Sequence, residues 1–203
     1  MAGFTVNPVV VTNFSGSFFS TSTGYVSGTL LDDPVTRFKL NQGMWNSATA
    51  AYGGVGITIT LPTAGTEADE YNSVLTLATS QANLLGFTVW NQATAMVQTP
   101  QGNVPLAAQY MSVDYVEFGS GARIVVPCSS STAAALAHQA QNVALYWDYT
   151  NQVLLSSPGG TAIAAKLIDV DTTGNSMVPA AGTGGLTGFT VWNQSGYSAV
   201  IEI

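Results

Sequence analysis

Ala122-Arg123-Ile124-Val125-Val126-Pro127-Cys128 reads in steps of two, with Ala122, Ile124, Val126 and Cys128 on one side of an extended chain. That period predicts a β-strand with an apolar face. The same pattern recurs in both directions from this stretch. Upstream, Ile57, Ile59 and Leu61 alternate with Thr58 and Thr60; downstream, Tyr197, Ala199, Ile201 and Ile203 alternate with Ser198, Val200 and Glu202. Val143 to Asp148 is a short apolar run rich in strand formers, including Tyr146 and Trp147. Turn residues separate these runs at Gly53-Gly54, Pro100-Gln101-Gly102-Asn103, Gly119-Ser120-Gly121, Pro158-Gly159-Gly160 and Gly182-Thr183-Gly184-Gly185. Short strands with turns between them predict an all-β fold, a single β-barrel or β-sandwich domain. One short helix is expected over Thr132-Ala133-Ala134-Ala135-Leu136-Ala137, with Ser131 or Thr132 as its N-cap.

One heptapeptide occurs twice. Gly86-Phe87-Thr88-Val89-Trp90-Asn91-Gln92 returns unchanged as Gly188-Phe189-Thr190-Val191-Trp192-Asn193-Gln194, an offset of 102 residues, and Leu84 matches Leu186. The flanks diverge, so the chain is not a solenoid. Each copy reads as a strand with Phe and Val on one face and Thr and Trp on the other. The two strands are expected in equivalent places of a duplicated sheet or beside each other. Core packing of Phe87, Val89, Phe189 and Val191 is favoured over a duplicated ligand site.

Composition narrows the function classes. At 203 residues the chain can bury a substantial core without covalent staples. Only 7% of residues are charged, with four Lys and Arg against eleven Asp and Glu. Four scattered cations cannot displace the counterions of nucleic-acid phosphates, and they argue equally against anionic membranes. A hydrophobic content of 46% argues against disorder. The single Cys128 has no internal disulfide partner, which suits a reducing cytoplasm. No basic flank precedes the short apolar run Pro8-Val9-Val10-Val11, and no stretch nears the roughly 20 apolar residues of a membrane helix. A soluble, unexported protein is expected. A surface so poor in charge suits assembly subunits covered by neighbours, or adhesin and fibre-like proteins.

The catalytic inventory is thin. His138 is the one histidine, so any nucleophilic triad would need it, and Cys128, His138 and Asp148 have the right residue types. Cys128, however, ends an apolar face, and His138 sits among Ala and Gln with no acid beside it. The carboxylates Asp32-Asp33, Glu67-Asp69-Glu70 and Asp169-Asp171 read as solvated loop acids. Asp169-Val170-Asp171-Thr172-Thr173-Gly174 opens like a calcium loop, but its twelfth position is Ala180 instead of a bidentate Glu, so an Asp-Gly turn is the simpler account. No Cys/His cluster suggests zinc, and no Walker or dinucleotide motif is present. The chain is expected to be no enzyme, with no catalytic, cofactor or metal residues.

Residues 1 to about 28 differ from the rest. They lack helical periodicity and carry Phe4, Phe14, Phe18, Phe19 and Tyr25 among Thr, Ser, Asn and Gly. Two readings stand: the first strands of the sheet or a frayed end, or an extended N-terminal arm that docks its aromatics on a neighbour. The second divides the chain into an arm, 1–28, and a barrel or sandwich domain, 29–203. It makes those five aromatics the candidate partner-binding residues.

From about residue 13 the chain resembles the phage structural cement (capsid decoration) protein family. The resemblance runs through Asn13-Phe14-Ser15-Gly16, Leu84-Leu85-Gly86-Phe87-Thr88-Val89, and the pair Met111-Ser112-Val113 and Ala122-Arg123-Ile124-Val125-Val126. It continues through Val143-Ala144-Leu145-Tyr146-Trp147-Asp148, the Gly182–Gly185 loop and the closing Ala199-Val200-Ile201-Glu202-Ile203. Two features depart from the pattern: Gln141-Asn142 stands where a glycine is expected, and the middle strand motif is duplicated at 186–194. The resemblance implies a β-barrel or sandwich subunit, often oligomeric, bound outside the shell after assembly. The implied partner is the major capsid protein, the implied state a homo-oligomer (a trimer before a dimer), and the implied location the capsid exterior after synthesis in the host cytoplasm. A receptor- or carbohydrate-binding β-domain of a tail fibre or adhesin is the alternative, with Trp90 and Trp192 as sugar-stacking platforms.

Overall fold

The computed structural model describes residues 25–31, 40–63, 73–89, 97–99, 102–104, 107–180 and 191–203. The fold is all-β. Strands β1 (Leu30–Leu31), β2 (Asn41–Trp45), β3 (Gly56–Thr60), β4 (Val74–Leu77) and β5 (Gly86–Thr88) are followed by β6 (Val97–Thr99) and β7 (Gly102–Val104). Then come β8 (Ser112–Glu117), β9 (Arg123–Cys128), the helix α1 (Ser130–Leu136), β10 (Tyr146–Asp148) and β11 (Val153–Leu155). Strands β12 (Lys166–Val170), β13 (Ser176–Ala180) and β14 (Val191–Glu202) complete the order.

Five of these strands close a barrel in the order β2-β4-β3-β5-β8. A second sheet runs β10-β11-β9-β14-β12, with β1 added to β9 and β13 to β14, while β6 and β7 form a separate hairpin. The stretch 122–128 lies at the centre of the second sheet, paired with β14 from Arg123↔Glu202 to Cys128↔Tyr197. Glu202 is flanked on both sides: Arg123 Nε lies 3.1 Å from one carboxylate oxygen and Lys166 Nζ 3.3 Å from the other. The three side chains cross β9, β14 and β12 in register, where opposite charges on neighbouring strands favour the pairing. The outer strand β12 carries a register shift between Leu167 and Asp169, a break that blunts an open edge.

Strand alternation creates two cores. Trp45, Ile57, Leu75, Val113 and Tyr115 fill the inside of the barrel. Phe87, Val116 and Leu84 point out of it and meet Ala122, Ile124, Val126, Cys128, Ala199 and Ile201 of the second sheet. The barrel and the sheet thus share one apolar layer, and the predicted faces of 122–128 and 197–203 both lie in it. Val125, Ser198 and Val200, on the opposite face, are buried too, so the second sheet is covered on both sides. At the barrel end of this layer Phe87 meets Trp147 edge-on, ring centroids 4.9 Å apart, and Phe118 at 5.6 Å.

Gln152 joins the layers through polar contacts. Its Oε1 accepts from Gly56 N at 2.9 Å and Trp147 Nε1 at 3.3 Å. Its Nε2 donates to Tyr149 O at 2.9 Å and Ala78 O at 3.2 Å. The side chain is fully buried with every donor and acceptor used, so its desolvation is compensated. Gly56 makes the approach possible, because a Cβ there would lie 2.7 Å from Leu84 and 2.9 Å from Trp147. Gly28 serves the same purpose on the opposite side: at φ +80°, a Cβ would fall 2.2 Å from Gly53.

Several expectations shift in detail. The helix begins earlier, at Ser130, because Ser129 caps it by accepting from Thr132 N at 3.1 Å. Thr132, one of the two expected caps, is buried inside the first turn. Leu61 lies beyond the end of β3 and is 86% exposed, so it does not share the core face of Ile57 and Ile59. In the run 143–148 only Tyr146–Asp148 is strand. Among the described residues the repeat copies neither pair nor share a sheet: Gly86–Thr88 is β5 of the barrel, and Val191 opens β14 of the second sheet. Phe87 and Val89 are core residues as expected. Trp90 to Gln92, Phe189 and the side chains of Val191 and Trp192 lie outside the described residues. In the first copy Thr88 is buried as well, accepting from Val55 N at 2.9 Å and donating to Tyr52 O.

Candidate functional site

A shallow groove of about 400 Å³ opens where the barrel meets the second sheet. Ile59, Leu84, Leu85, Phe118 and Ala164 line it, and Glu117 is its charged group. The local backbone explains its apolar floor. The 3-10 turn Gln81–Asn83 carries the chain from β4 to β5 and delivers Leu84 and Leu85 side by side. Leu84 turns into the shared core, while Leu85 stays 43% exposed. Leu85 is held there on both sides, its N–H donating to Ile57 O at 2.9 Å and its carbonyl accepting from Phe118 N at 3.1 Å. Tyr149 Oη donates to Gln81 Oε1 at 2.7 Å, tying the turn to the β10–β11 hairpin. Just past Ile59, on the same chain segment, stands Leu61.

The residues with chemical potential are not brought together. Cys128 is buried in the shared core, and burial, reinforced by the Asp171 charge, pushes its thiol up to about 12. His138 is exposed beyond α1 at φ +63°. Both carboxylate oxygens of Asp148 are engaged locally, one by Thr150 N and Asn151 N at 2.8 and 3.0 Å, the other by Asn151 Nδ2 at 2.7 Å. Burial works to raise the Asp148 pKa, but these bonds outweigh it and hold the carboxyl below its usual range.

Asp169 and Val170 end β12, and Asp171–Gly174 forms the Asp-Gly turn that leads to β13. Asp171 Oδ1 accepts from Thr173 N at 2.8 Å and Thr173 Oγ1 at 2.6 Å. Its Oδ2 accepts from Ser176 Oγ at 2.6 Å and Asn175 N at 3.1 Å. Asp169 accepts from Val170 N at 2.8 Å and from the Tyr25 hydroxyl. These carboxylates are directed at protein donors. Among the described residues no group of three or more His, Cys, Asp or Glu side chains is placed to hold a metal ion, and no helix is long and apolar enough to cross a membrane.

Of the five aromatics proposed for an arm, Phe4, Phe14, Phe18 and Phe19 lie outside the described residues. Tyr25 is tied to its own chain. Besides its bond to Asp169, its N–H donates to Ser176 Oγ at 3.3 Å and its carbonyl accepts from Met177 N at 2.7 Å. The Asp169 hydrogen bond is the main reason that the Tyr25 phenol rises to about 12. Ser27 and Gly28 continue the attachment, to Met177 O, Gly53 O and Val125 O.

Two features had no signal in the sequence. Gln152 looks like any polar loop residue, and nothing local marks it as the tie between layers. Leu85 is one of two adjacent leucines whose opposite fates depend on the barrel wall. No family model, no curated protein and no solved structure matches the chain.

Proposed function

We propose that the chain is a structural capsid decoration (cement) protein that binds the outside of a phage head and stabilises it by bridging neighbouring capsid subunits. The observation that carries this reading is the apolar surface left open on a β-subunit with few charged residues: Leu85 in its groove, and Leu61, 86% exposed, two residues past the groove-lining Ile59. An apolar groove with a polar surround is the form of a protein-protein contact. The resemblance in residue order to the cement family from about residue 13 supports the same reading. The mechanism is mechanical. Each copy buries surface against the major capsid protein that shell opening would expose again, and a specific contact of this kind buries roughly 1,200–2,000 Å². A homo-oligomer, a trimer before a dimer, engages several capsid subunits at once and gains avidity without new contacts. Residues 1–24 are assigned to assembly in this reading, through Phe4, Phe14, Phe18 and Phe19. The acidic balance suits an outer face of the virion, where no nucleic acid is contacted. No catalytic step is assigned.

Purified protein mixed with expanded, undecorated heads provides the test. The expected result is co-sedimentation at saturating stoichiometry and a higher melting temperature of the heads. Leu61→Asp/Leu85→Asp should weaken binding about tenfold, the effect of losing one or two desolvated anchors, while leaving the melting temperature of the free protein unchanged. Absence of binding, or binding indifferent to both substitutions, overturns the reading.

A further inference from the structure

Tyr110 holds a backbone conformation that its side chain disfavours. Its φ is +70°, in the left-handed region where a bulky L-residue is a steric outlier and glycine is the ordinary choice. Among the described residues two other non-glycines share this region. Gln152 is repaid by four side-chain hydrogen bonds, and His138 follows the end of a helix. Tyr110 is the third residue of a β-turn closed by Met111 N donating to Ala108 O at 3.2 Å, a place where glycine is usual, and its side chain is 55% exposed. Strain of this kind persists where the surrounding structure fixes it, and it concentrates at binding sites.

The surroundings do fix it. Tyr110 N donates to Trp45 O at 2.6 Å, and Ala108 N approaches Met111 Sδ at 3.3 Å. The facing loop, 46–50, is braced by Trp45 Nε1 donating to Thr49 O at 2.6 Å. Ala51 and Ala107 exchange two backbone hydrogen bonds at 2.8 Å where the loops converge. Across them Gln109 Nε2 donates to Asn46 Oδ1 at 3.0 Å. That pairing leaves one amide donor, Asn46 Nδ2, and one acceptor, Gln109 Oε1, on an exposed surface, and among the described residues neither takes a further bond. Neither loop, 46–50 or 107–111, contains a charged residue.

We propose that Tyr110, Asn46 and Gln109 form a binding site for neutral carbohydrate at this end of the barrel. A pyranose has an apolar C–H face and an equatorial rim of hydroxyls. The Tyr110 ring, 55% exposed, offers a flat apolar face with only two side-chain torsions to order on binding. The amide pair offers the donor and acceptor that adjacent hydroxyls need, and the lack of charge selects uncharged sugars. A protein partner fits less well, since a stable protein contact needs about 800 Å² on each side. Here the exposed chain neighbours of the single ring are Ala108, Gln109 and a 37%-exposed Met111. The site is independent of head binding and adds surface attachment to the decoration role.

The test uses the full-length purified chain against an array of glucose-, galactose-, N-acetylglucosamine- and N-acetylgalactosamine-terminated glycans, with sialylated glycans as the charged comparison. Saturation-transfer NMR follows on whichever glycans bind. Binding to at least one neutral class is expected. Tyr110→Gly should weaken it at least about tenfold, the scale of losing an aromatic contact, with a melting temperature equal to or above that of the parent because the strained φ is relieved. Tyr110→Phe should retain binding, and Gln109→Ala should weaken it several-fold. No binding of any neutral glycan up to about 10 mM, the weak limit for a single stacked sugar, overturns the site. So does binding indifferent to Tyr110→Gly, or a Tyr110→Gly effect confined to oligomeric mass or head attachment, which would assign the ring to a protein contact instead.

Discussion

The Gly56 N–H donates to Gln152 Oε1 at 2.9 Å across 96 positions of chain, joining the barrel wall to the hairpin of the second sheet. The same oxygen takes the Trp147 indole N–H, and Trp147 packs on Phe87. One amide therefore aligns two backbones and one ring. Gln152→Leu keeps the volume but strands the Gly56 and Trp147 donors and the Ala78 and Tyr149 acceptors. A loss of about 3–4 kcal/mol is expected, since each buried unsatisfied group costs roughly 1–3 kcal/mol and relaxation recovers part of it. Urea denaturation measures the loss, and faster amide exchange at Gly56 and Ala78 would localise it.

Phe87→Ala should cost about 3–5 kcal/mol through the cavity it leaves against Trp147, Phe118 and the second sheet. Thr88→Val tests the opposite face of the same strand. It preserves shape but removes the acceptor for Val55 N and the donor to Tyr52 O, and should cost about 1–3 kcal/mol. An exposed-residue response at Phe87, below about 1 kcal/mol, would contradict its place in the core.

Asp171 links stability to pH. Burial works to raise its pKa, but the bonds from Ser176, Thr173 and Asn175 outweigh burial and hold the carboxyl below its ordinary range. Its folded pKa is therefore depressed relative to the unfolded chain. The stabilisation is complete above the unfolded value of about 3.9 and is lost as pH falls through the folded one. Asp148 acts in the same direction. Asp171→Asn should cost about 2–3 kcal/mol at neutral pH, because one of its two acceptor oxygens becomes a donor facing donors. It should also flatten the acid limb of a melting-temperature profile between roughly pH 5 and 2.

Alkaline titration should find Tyr25 ionising near 12 instead of the ordinary 10, chiefly because its hydroxyl is bonded to Asp169. A raised folded pKa stabilises below the unfolded value and is lost as pH rises through the folded one, so this contact weakens between about pH 10 and 12. Tyr25→Phe should reduce the late ultraviolet transition by one tyrosine, while Tyr52, whose phenol burial also pushes up, continues to ionise late. Cys128, pushed up to about 12 by burial, should resist alkylation in the native protein and react on unfolding.

Deleting residues 1–24 should leave the melting temperature within a few degrees, because the attachments of Tyr25, Ser27 and Gly28 remain. It should reduce oligomerisation or head binding, measured by light scattering and co-sedimentation. Deleting residues 1–31 should in addition cost about 2–4 kcal/mol, since it removes β1 and the bonds to Met177, Gly53 and Val125. Loss of folding on removing 1–24 would place that segment in its own core and end the arm assignment.

Period two in the sequence sufficed to specify strands 56–60, 123–128 and the end of 191–202, and the glycine clusters marked turns such as Gly54 and Gly119, both at positive φ. Side-chain direction along an extended chain is a local property, so Ala122, Ile124, Val126 and Cys128 could be assigned to one face from their spacing alone. The same reasoning misplaced Leu61, because alternation carries no information about where a strand stops pairing. It missed the Ser129 cap because Ser129, Ser130, Ser131 and Thr132 are near-equivalent cap formers, and the choice among them depends on where β9 releases the chain.

What only the tertiary structure decided is which strands meet. The described parts of the two identical heptapeptides pair differently, because pairing is set by partners outside the repeat: Phe87 lies opposite Gly56 and Val116, whereas Val191 lies opposite Ala180. Gln152, Leu85 and Tyr110 likewise carry ordinary local signals. Gly56 N and Ala78 O, 96 and 74 positions away, make the first a buried tie, a barrel wall leaves the second in a groove, and the brace from Trp45 holds the third at φ +70°. Strand identity follows from neighbours one and two residues away, whereas burial of a polar group and exposure of an apolar one are set by contacts across the fold.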